Sequence, residues 1–139
     1  MYATIDDLKQ HMAENQIADL SDDSVPAAEM DAALVEHLLA DASGIVDGWL
    51  AGRYAVPLAP PAPAMVRVAT LDIARQMLFA RRLGEVPAAV DSAYKRTIAW
   101  LQAVARGTVR LDGVTATPSL AGLTPGNDRI FRRDQTTYF

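Results

Sequence analysis

The chain is 139 residues long, carries a formal net charge of −4 and contains no cysteine. This length is enough for one domain with a hydrophobic core, and the missing cysteine excludes disulfide scaffolds, thiolate zinc sites and thiol nucleophiles. The acidic balance argues against tight nucleic-acid binding, because that affinity comes mainly from Lys and Arg on phosphates. We also expect no membrane span and no secretory signal, since the sequence lacks an apolar run of about 18 residues and a basic region followed by an apolar one.

Two short helices are predicted near the N-terminus. Thr4 is a preferred N-cap residue, and the two aspartates in the following turn favour the positive end of the helix dipole. We predict a first helix from about Ile5 to His11 and a second from about Glu14 to Leu20. The segment from Ser21 to Pro26 is interpreted as a loop that caps the next helix.

The next predicted element is a long helix from about Ala27 to Ala51, which carries two adjacent apolar stripes. The first stripe consists of Leu34, Leu38, Ile45 and Trp49. The second stripe consists of Val35, Leu39, Val46 and Leu50. Residues three or four apart share a helix face, so this helix is contacted over a wide arc. Either it lies centrally in its own domain, or one stripe is left for a neighbour. Three acidic residues lie away from both stripes: Glu29, Glu36 and Asp47.

The segment from Asp41 to Pro57, called the corner below, ends this helix and redirects the chain. Gly52 lies past the last apolar position, where a helix end often requires a positive φ. Pro57 and the prolines that follow it prevent the helix from resuming before about Pro63. The residues expected to build the corner are Trp49, Arg53, Tyr54, Pro57, Asp72 and Arg75. An ion pair, Arg53–Asp72 or Arg75–Asp72, is expected to fix it, because charges within apolar stretches normally have a partner.

Two further long helices complete a predicted all-α bundle of three long helices. One runs from Pro63 to Leu83, and the other runs from Pro87 to Arg106 and stops at Gly107. The alternation at residues 108–111 predicts a short β element, followed by an Asp112-Gly113 turn. The expected core residues are Trp49, Leu38, Ile45, Ile73, Met77, Ile98 and Leu101.

The last part of the chain shows no hydrophobic period, so we divide the sequence into a helical domain, 1–111, and an extended C-terminal tail, 112–139. Such a tail cannot bury a core of its own, and we expect it to be mobile in the free protomer and ordered on a partner. Its expected partner-binding residues, of types enriched in interface hot spots, are Arg129, Ile130, Phe131, Arg132, Arg133, Tyr138 and Phe139.

No residue pattern in the sequence predicts catalysis. His11 and His37 belong to no metal-ligand spacing, and neither Ser43 nor Ser119 lies in the strained turn that a serine nucleophile requires. The acidic residues Asp41, Asp47 and Asp72 have no spacing that brings them together, and a phosphate-binding glycine loop is missing. We therefore expect no catalytic residue, no cofactor and no metal.

Four segments of the sequence resemble the Mu-like phage head–tail adaptor (connector) proteins. They are Met1–Leu8, Ile45–Leu58, Asp72–Arg75, and Ala99–Leu101 followed by Ala105–Gly107. The likeness covers about residues 1–111, in order and at similar spacing. Gln76-Met77 departs mildly from the family, which often carries a second aromatic residue after the third segment.

The resemblance implies a helical, non-enzymatic adaptor that forms a homo-oligomeric, twelvefold ring beneath the portal of a tailed phage or prophage. It would bind the portal protein and a tail, stopper or tail-terminator protein, and double-stranded DNA would pass through without specific binding. The protein would be located in the neck of the virion and assembled in the bacterial cytoplasm. If the ring has a channel, Glu29, Glu36 and Asp47 are expected to line it, because basic groups would retain the passing DNA.

The alternative interpretation is a small helical DNA-binding or regulatory module. Such a module calls for a short polar turn and a basic recognition helix. Here the turn is rich in proline and the helix after it opens with apolar residues, so the adaptor is favoured. An enzyme ranks third.

Overall fold

The computed structural model describes residues 1–24, 26–83 and 85–117 and contains five α-helices within them. These are α1 (Ile5–His11), α2 (Glu14–Ser21), α3 (Ala32–Leu50), α4 (Ala64–Leu83) and α5 (Ala88–Arg106). Helices α3, α4 and α5 pack against one another, while α1 rests on α3, and α2 rests on α4 and α3. The predicted all-α fold is confirmed. No helix in the described part of the chain is long and apolar enough to cross a membrane.

The short β element predicted at residues 108–111 is wrong, because this segment turns back onto the helices instead of pairing as a strand. The amides of Thr108 and Val109 both donate to the carbonyl of Ala103, at 2.9 and 3.2 Å, and so continue the cap of α5. The predicted turn that follows is present, with Gly113 at a φ of 73°.

Helix α3 begins five residues later than the sequence predicts. Asp31 is its N-cap residue, and the Asp31 carboxylate accepts a hydrogen bond from the Leu34 amide at 3.0 Å. The preceding loop is organised around Asp22, which accepts from the Ser24 hydroxyl at 2.6 Å and from the Ala28 amide at 2.8 Å. These bonds, with that of the Ser24 amide, lower the pKa of Asp22. Glu29 therefore lies in this loop and not on the long helix.

Two other helix boundaries, the start of α1 and the end of α5, follow capping residues of the sequence. Thr4 forms a capping box with Asp7: the Thr4 side chain accepts from the Asp7 amide, and the Thr4 amide donates to the Asp7 carboxylate at 2.9 Å. The bond from the Thr4 amide is the main cause of the lowered pKa of Asp7. At the other end of the chain, Gly107 ends α5 in the left-handed conformation, with a φ of 81°.

The two stripes of α3 have different environments. The second stripe is completely buried, and α3 contacts α4 and α5, whereas Ile45 of the first stripe is 41% exposed. Among the expected core residues, Ile73 and Leu101 are buried as predicted. Four others are only partly buried at the edge of the core: Leu38, Trp49, Met77 and Ile98. The prediction for Ile45 is wrong, because the bundle turns the second stripe, and not the first, toward the core.

The corner ends α3 without a left-handed residue, contrary to the expectation for Gly52. The amides of Arg53 and Tyr54 both donate to the Leu50 carbonyl at 2.9 Å, which tightens the last turn. In the described residues, the positive φ values of glycine occur at Gly107 and Gly113.

Candidate functional site

Tyr2 connects three separate parts of the chain at the corner. Its hydroxyl hydrogen bonds to the Asp47 carboxylate on α3 and accepts from the Leu58 amide at 2.8 Å. Its amide donates to Ser43 Oγ at 3.1 Å. Burial, followed by the hydrogen bond to Asp47, raises the pKa of Tyr2 to about 12. Asp47 is therefore a structural partner of Tyr2, and its place in a channel wall stays a prediction.

Tyr54 holds the segment after α5 against the corner. The ring is buried, and the hydroxyl accepts from the Leu111 amide at 3.1 Å. The carbonyl of Arg53 accepts from the Thr117 amide at 2.8 Å, so residues up to 117 remain attached to the bundle. Pro57 is exposed at the surface of this corner.

The predicted ion pair forms between Asp72 and Arg75, but it does not fix the corner. The nearest nitrogen and oxygen atoms of this pair are 3.7 Å apart, and Asp72 also accepts from the Thr97 hydroxyl at 2.8 Å. Asp72 thus connects α4 to α5. The alternative partner, Arg53, instead places its guanidinium against Gly107, where an added Cβ would clash with it. A separation of 3.7 Å at a partly exposed site indicates a weak ion pair.

A groove with partly apolar walls runs between α4 and α5. Its first section has a volume of about 380 Å³. A second section, of about 260 Å³, shares Met65 and Trp100 as lining residues and reaches Leu111. Met65 is 51% exposed and Val68 is 37% exposed, both unusually open for large apolar residues of the described chain. We call this feature the α4–α5 groove.

A second opening, of about 460 Å³, lies where α2 and the loop before α3 meet the end of α4. Arg81 donates to the Leu20 carbonyl at 3.2 Å and to the Asp23 carboxylate at 2.7 Å, and Arg82 donates to the Asp22 carbonyl. These contacts hold the loop on the bundle. The opening is therefore best explained by the packing of the loop.

Charge is divided unevenly along the chain. The first 50 residues contain one Lys or Arg, Lys9, and these acidic residues: Asp6, Asp7, Glu14, Asp19, Asp22, Asp23, Glu29, Asp31, Glu36, Asp41 and Asp47. The described residues after them carry most of the basic groups: Arg53, Arg67, Arg75, Arg81, Arg82, Lys95, Arg96, Arg106 and Arg110. The weak net charge of the whole chain therefore conceals an acidic half and a basic half.

The two histidines belong to no metal site within the described residues, and the tail residues are not described. His11 and His37 are both exposed, and no group of three or more His, Asp or Glu side chains in the described ranges could hold a metal ion. The expected partner-binding residues of the tail lie outside the described residues: Arg129, Ile130, Phe131, Arg132, Arg133, Tyr138 and Phe139. The sequence alone does not predict the roles of Tyr2, Val68 and Trp100, because those roles depend on contacts that only the tertiary fold creates.

The described residues form a small all-helical protein whose notable surface features are the partly exposed first stripe of α3 and the α4–α5 groove. The chain belongs to the family described as Bacteriophage Mu, Gp36, whose model matches residues 2–123. It is similar to gene product J of Escherichia phage Mu, with 28% identity over 106 residues, which are 76% of this chain and 72% of that protein. It is also similar to the Mu-like prophage FluMu protein gp36 of Haemophilus influenzae, with 38% identity over 88 residues, or 61% of this chain and 57% of that protein. The protein is thus a Mu-like phage protein.

Proposed function

We propose that this protein is the structural head–tail adaptor of a tailed bacteriophage or prophage. It forms a homo-oligomeric ring below the portal, and the family resemblance implies twelve copies. The ring joins the capsid to the tail and lets double-stranded DNA pass. Membership of the Mu Gp36 family supports a phage role. The observation that carries the proposal is that one small bundle displays two separate apolar surfaces, the first stripe of α3 and the α4–α5 groove.

An adaptor must contact several neighbours at once, and these surfaces fit that requirement better than they fit catalysis. Exposed apolar patches on a small domain mark contacts with other proteins. The proposed partners are further copies of this chain, the portal protein, and a tail, stopper or tail-terminator protein. The proposed location is the neck of the virion, after assembly in the bacterial cytoplasm.

The C-terminal tail is proposed to dock on one of these partners through its aromatic and arginine residues. The bonds of Leu111 and Thr117 to the corner give a natural limit for a truncation, because removal of residues 118–139 leaves them intact. The truncated protein should keep its helical content and lose its place in the particle. A truncated protein that still joins heads to tails would contradict the docking role.

The adaptor function is tested by removing the gene from a phage or inducible prophage that carries it. Electron microscopy should show DNA-filled heads and free tails that do not join, and supplying the full-length protein should restore joined particles. A label on the restored protein should appear at the neck. Joined, infectious particles in the absence of the protein, or a label elsewhere, would refute the proposal.

A further inference from the structure

The first stripe of α3 is an apolar surface that the described part of the chain leaves open. Ile45 is 41% exposed, and Leu34 and Leu38 are only partly buried. The small residues Gly44 and Gly48 beside it leave open space, since a Cβ added at either would meet no atom within 4 Å. A partner could therefore approach the α3 backbone closely along this side.

Acidic groups accompany this stripe. Asp41 is exposed and lies one helical turn from both Leu38 and Ile45, so it shares their face. Asp31 is exposed at the start of the same helix, one turn before Leu34. The stripe thus presents aliphatic side chains flanked by carboxylates.

The α4–α5 groove has the complementary character. Met65, Val68 and Trp100 provide its apolar lining, and Arg96 and Arg110 stand along its two sections. Two carboxylates also line it. Asp72 is engaged by Thr97 and Arg75, and Asp112 lies in the second section, two residues after Arg110 in sequence. The groove therefore offers an apolar floor with exposed arginines.

The groove and the stripe are different parts of the protein surface, since no residue of α3 lines either section of the groove. A contact between them requires two copies that use unlike surfaces, and such a heterologous contact repeats from copy to copy. The contact leaves each end of a growing assembly able to add another subunit, until a ring closes.

We propose that the first stripe of one copy packs into the α4–α5 groove of the next copy, with Asp41 and Asp31 facing Arg96 and Arg110. The inference rests on the proposed adaptor function for the closure of the ring, but the contact itself is argued from the two surfaces. Apolar burial supplies the affinity, and the charges set which surface pairs with which.

Cross-linking through engineered cysteines tests this contact directly, because the natural chain has no cysteine. The full-length Ile45→Cys protein is mixed with a size-tagged Val68→Cys protein and treated with a short bis-maleimide. Matched controls are Ala40→Cys, exposed elsewhere on α3, and Gln102→Cys, exposed on α5 outside the groove residues. We expect the yield of the heterodimer cross-linked between positions 45 and 68 to be at least severalfold higher than the yields of the control heterodimers, 40–68 and 45–102. It should exceed the yields of the 45–45 and 68–68 homodimers by a similar factor.

The result that overturns the proposal is a 45–68 yield no greater than the controls, or a 45–45 product that exceeds it, which would indicate a symmetric contact instead. Failure of the adaptor function is distinguishable from this outcome. If the 45–68 product is strong but the protein is not located in the neck, the proposed contact stands and the adaptor function is refuted. If the protein is located in the neck but the 45–68 product does not form, the adaptor function stands and the proposed contact is refuted.

Discussion

The two stripes of α3 are made of similar residues at similar spacing, yet the described part of the chain completely covers only one of them. The second stripe is completely buried, whereas the first has Ile45 in contact with solvent. A third side of the same helix is held by Tyr2 through Ser43 and Asp47. The three sides of this one helix thus have different surroundings. The comparison shows that amphipathic spacing identifies apolar faces but does not tell which of them belongs to the protein's own core.

The sharpest way to test this difference is a pair of identical substitutions at adjacent positions. Leu39 is completely buried in the second stripe, so Leu39→Ala should lower the free energy of unfolding by about 2–5 kcal/mol. Leu38 is only partly buried, so Leu38→Ala should lower it by roughly 1 kcal/mol, in proportion to the smaller area it buries. Urea unfolding followed by circular dichroism measures both, and equal losses would refute the assignment of the stripes.

A charged substitution in the first stripe should separate assembly from stability. Ile45→Glu should change the free energy of unfolding by no more than about 0.5 kcal/mol, as is usual for surface positions. It should weaken self-association at least about tenfold, which corresponds to about 1.4 kcal/mol. Val46→Glu, at the adjacent buried position, is the control that should unfold the protein. Unchanged association of Ile45→Glu would exclude the first stripe as a contact surface.

The Tyr2 side of α3 should contribute a smaller and pH-dependent amount. Tyr2→Phe removes the hydroxyl that bonds Asp47 and Leu58 and should cost about 1 kcal/mol. Because the folded-state pKa of Tyr2 is raised to about 12, from an ordinary value of 10.0, its contribution is complete below pH 10 and is lost as the pH rises toward 12.

The wild-type protein should therefore lose more stability than Tyr2→Phe between pH 10 and pH 12, and denaturant unfolding at several pH values measures the difference. A steeper loss for Tyr2→Phe would contradict this sign. Tyr54→Phe, which removes the bond to Leu111, serves as a control that should leave the Tyr2-dependent part of the pH profile unchanged.

The charges around the proposed contact should have the smallest effect. Arg96→Glu and Asp41→Arg should each weaken self-association a few-fold at low salt, since exposed ion pairs contribute about 0.2–1 kcal/mol. The two variants mixed together, or both changes in one chain, should recover part of the loss. The effect should fade in high salt. If neither combination restores self-association at low salt, Asp41 and Arg96 do not face each other across the contact.

Local signals in the sequence predict most of the fold. Thr4 fixes the start of α1 through its capping box, and Gly107 stops α5, because both act through neighbouring backbone groups. The start of α3 could not be predicted equally well. Asp22 and Asp31 both bond nearby amides. The start of the loop between them is held by Arg81, which bonds Asp23, and by Arg82, which bonds Asp22, and both arginines are distant in sequence.

The surfaces are harder to predict than the helices because they depend on packing. The spacing of Asp72 and Arg75 indicates an ion pair, but nothing local shows that Thr97 binds the same carboxylate. The partnership of Tyr2 with Asp47 joins residues that only the tertiary fold brings together. The alternation at residues 108–111 resembles a strand, yet the Leu111 amide donates to the Tyr54 hydroxyl at the corner instead of to a neighbouring strand.

The most direct test of the central claim, that α3 keeps one stripe for its own core and offers the other to the next copy, is the mass of a mixture of two variants. Ile45→Glu disrupts the first stripe and keeps the α4–α5 groove intact, whereas Val68→Glu disrupts the groove and keeps the stripe intact. Under conditions in which the wild-type chain self-associates, each variant alone should be monomeric in sedimentation equilibrium. Their equimolar mixture should form a 1:1 heterodimer that grows no further. A mixture that stays monomeric, variants that assemble alone, or a wild-type chain that remains monomeric at the highest soluble concentration would contradict the account.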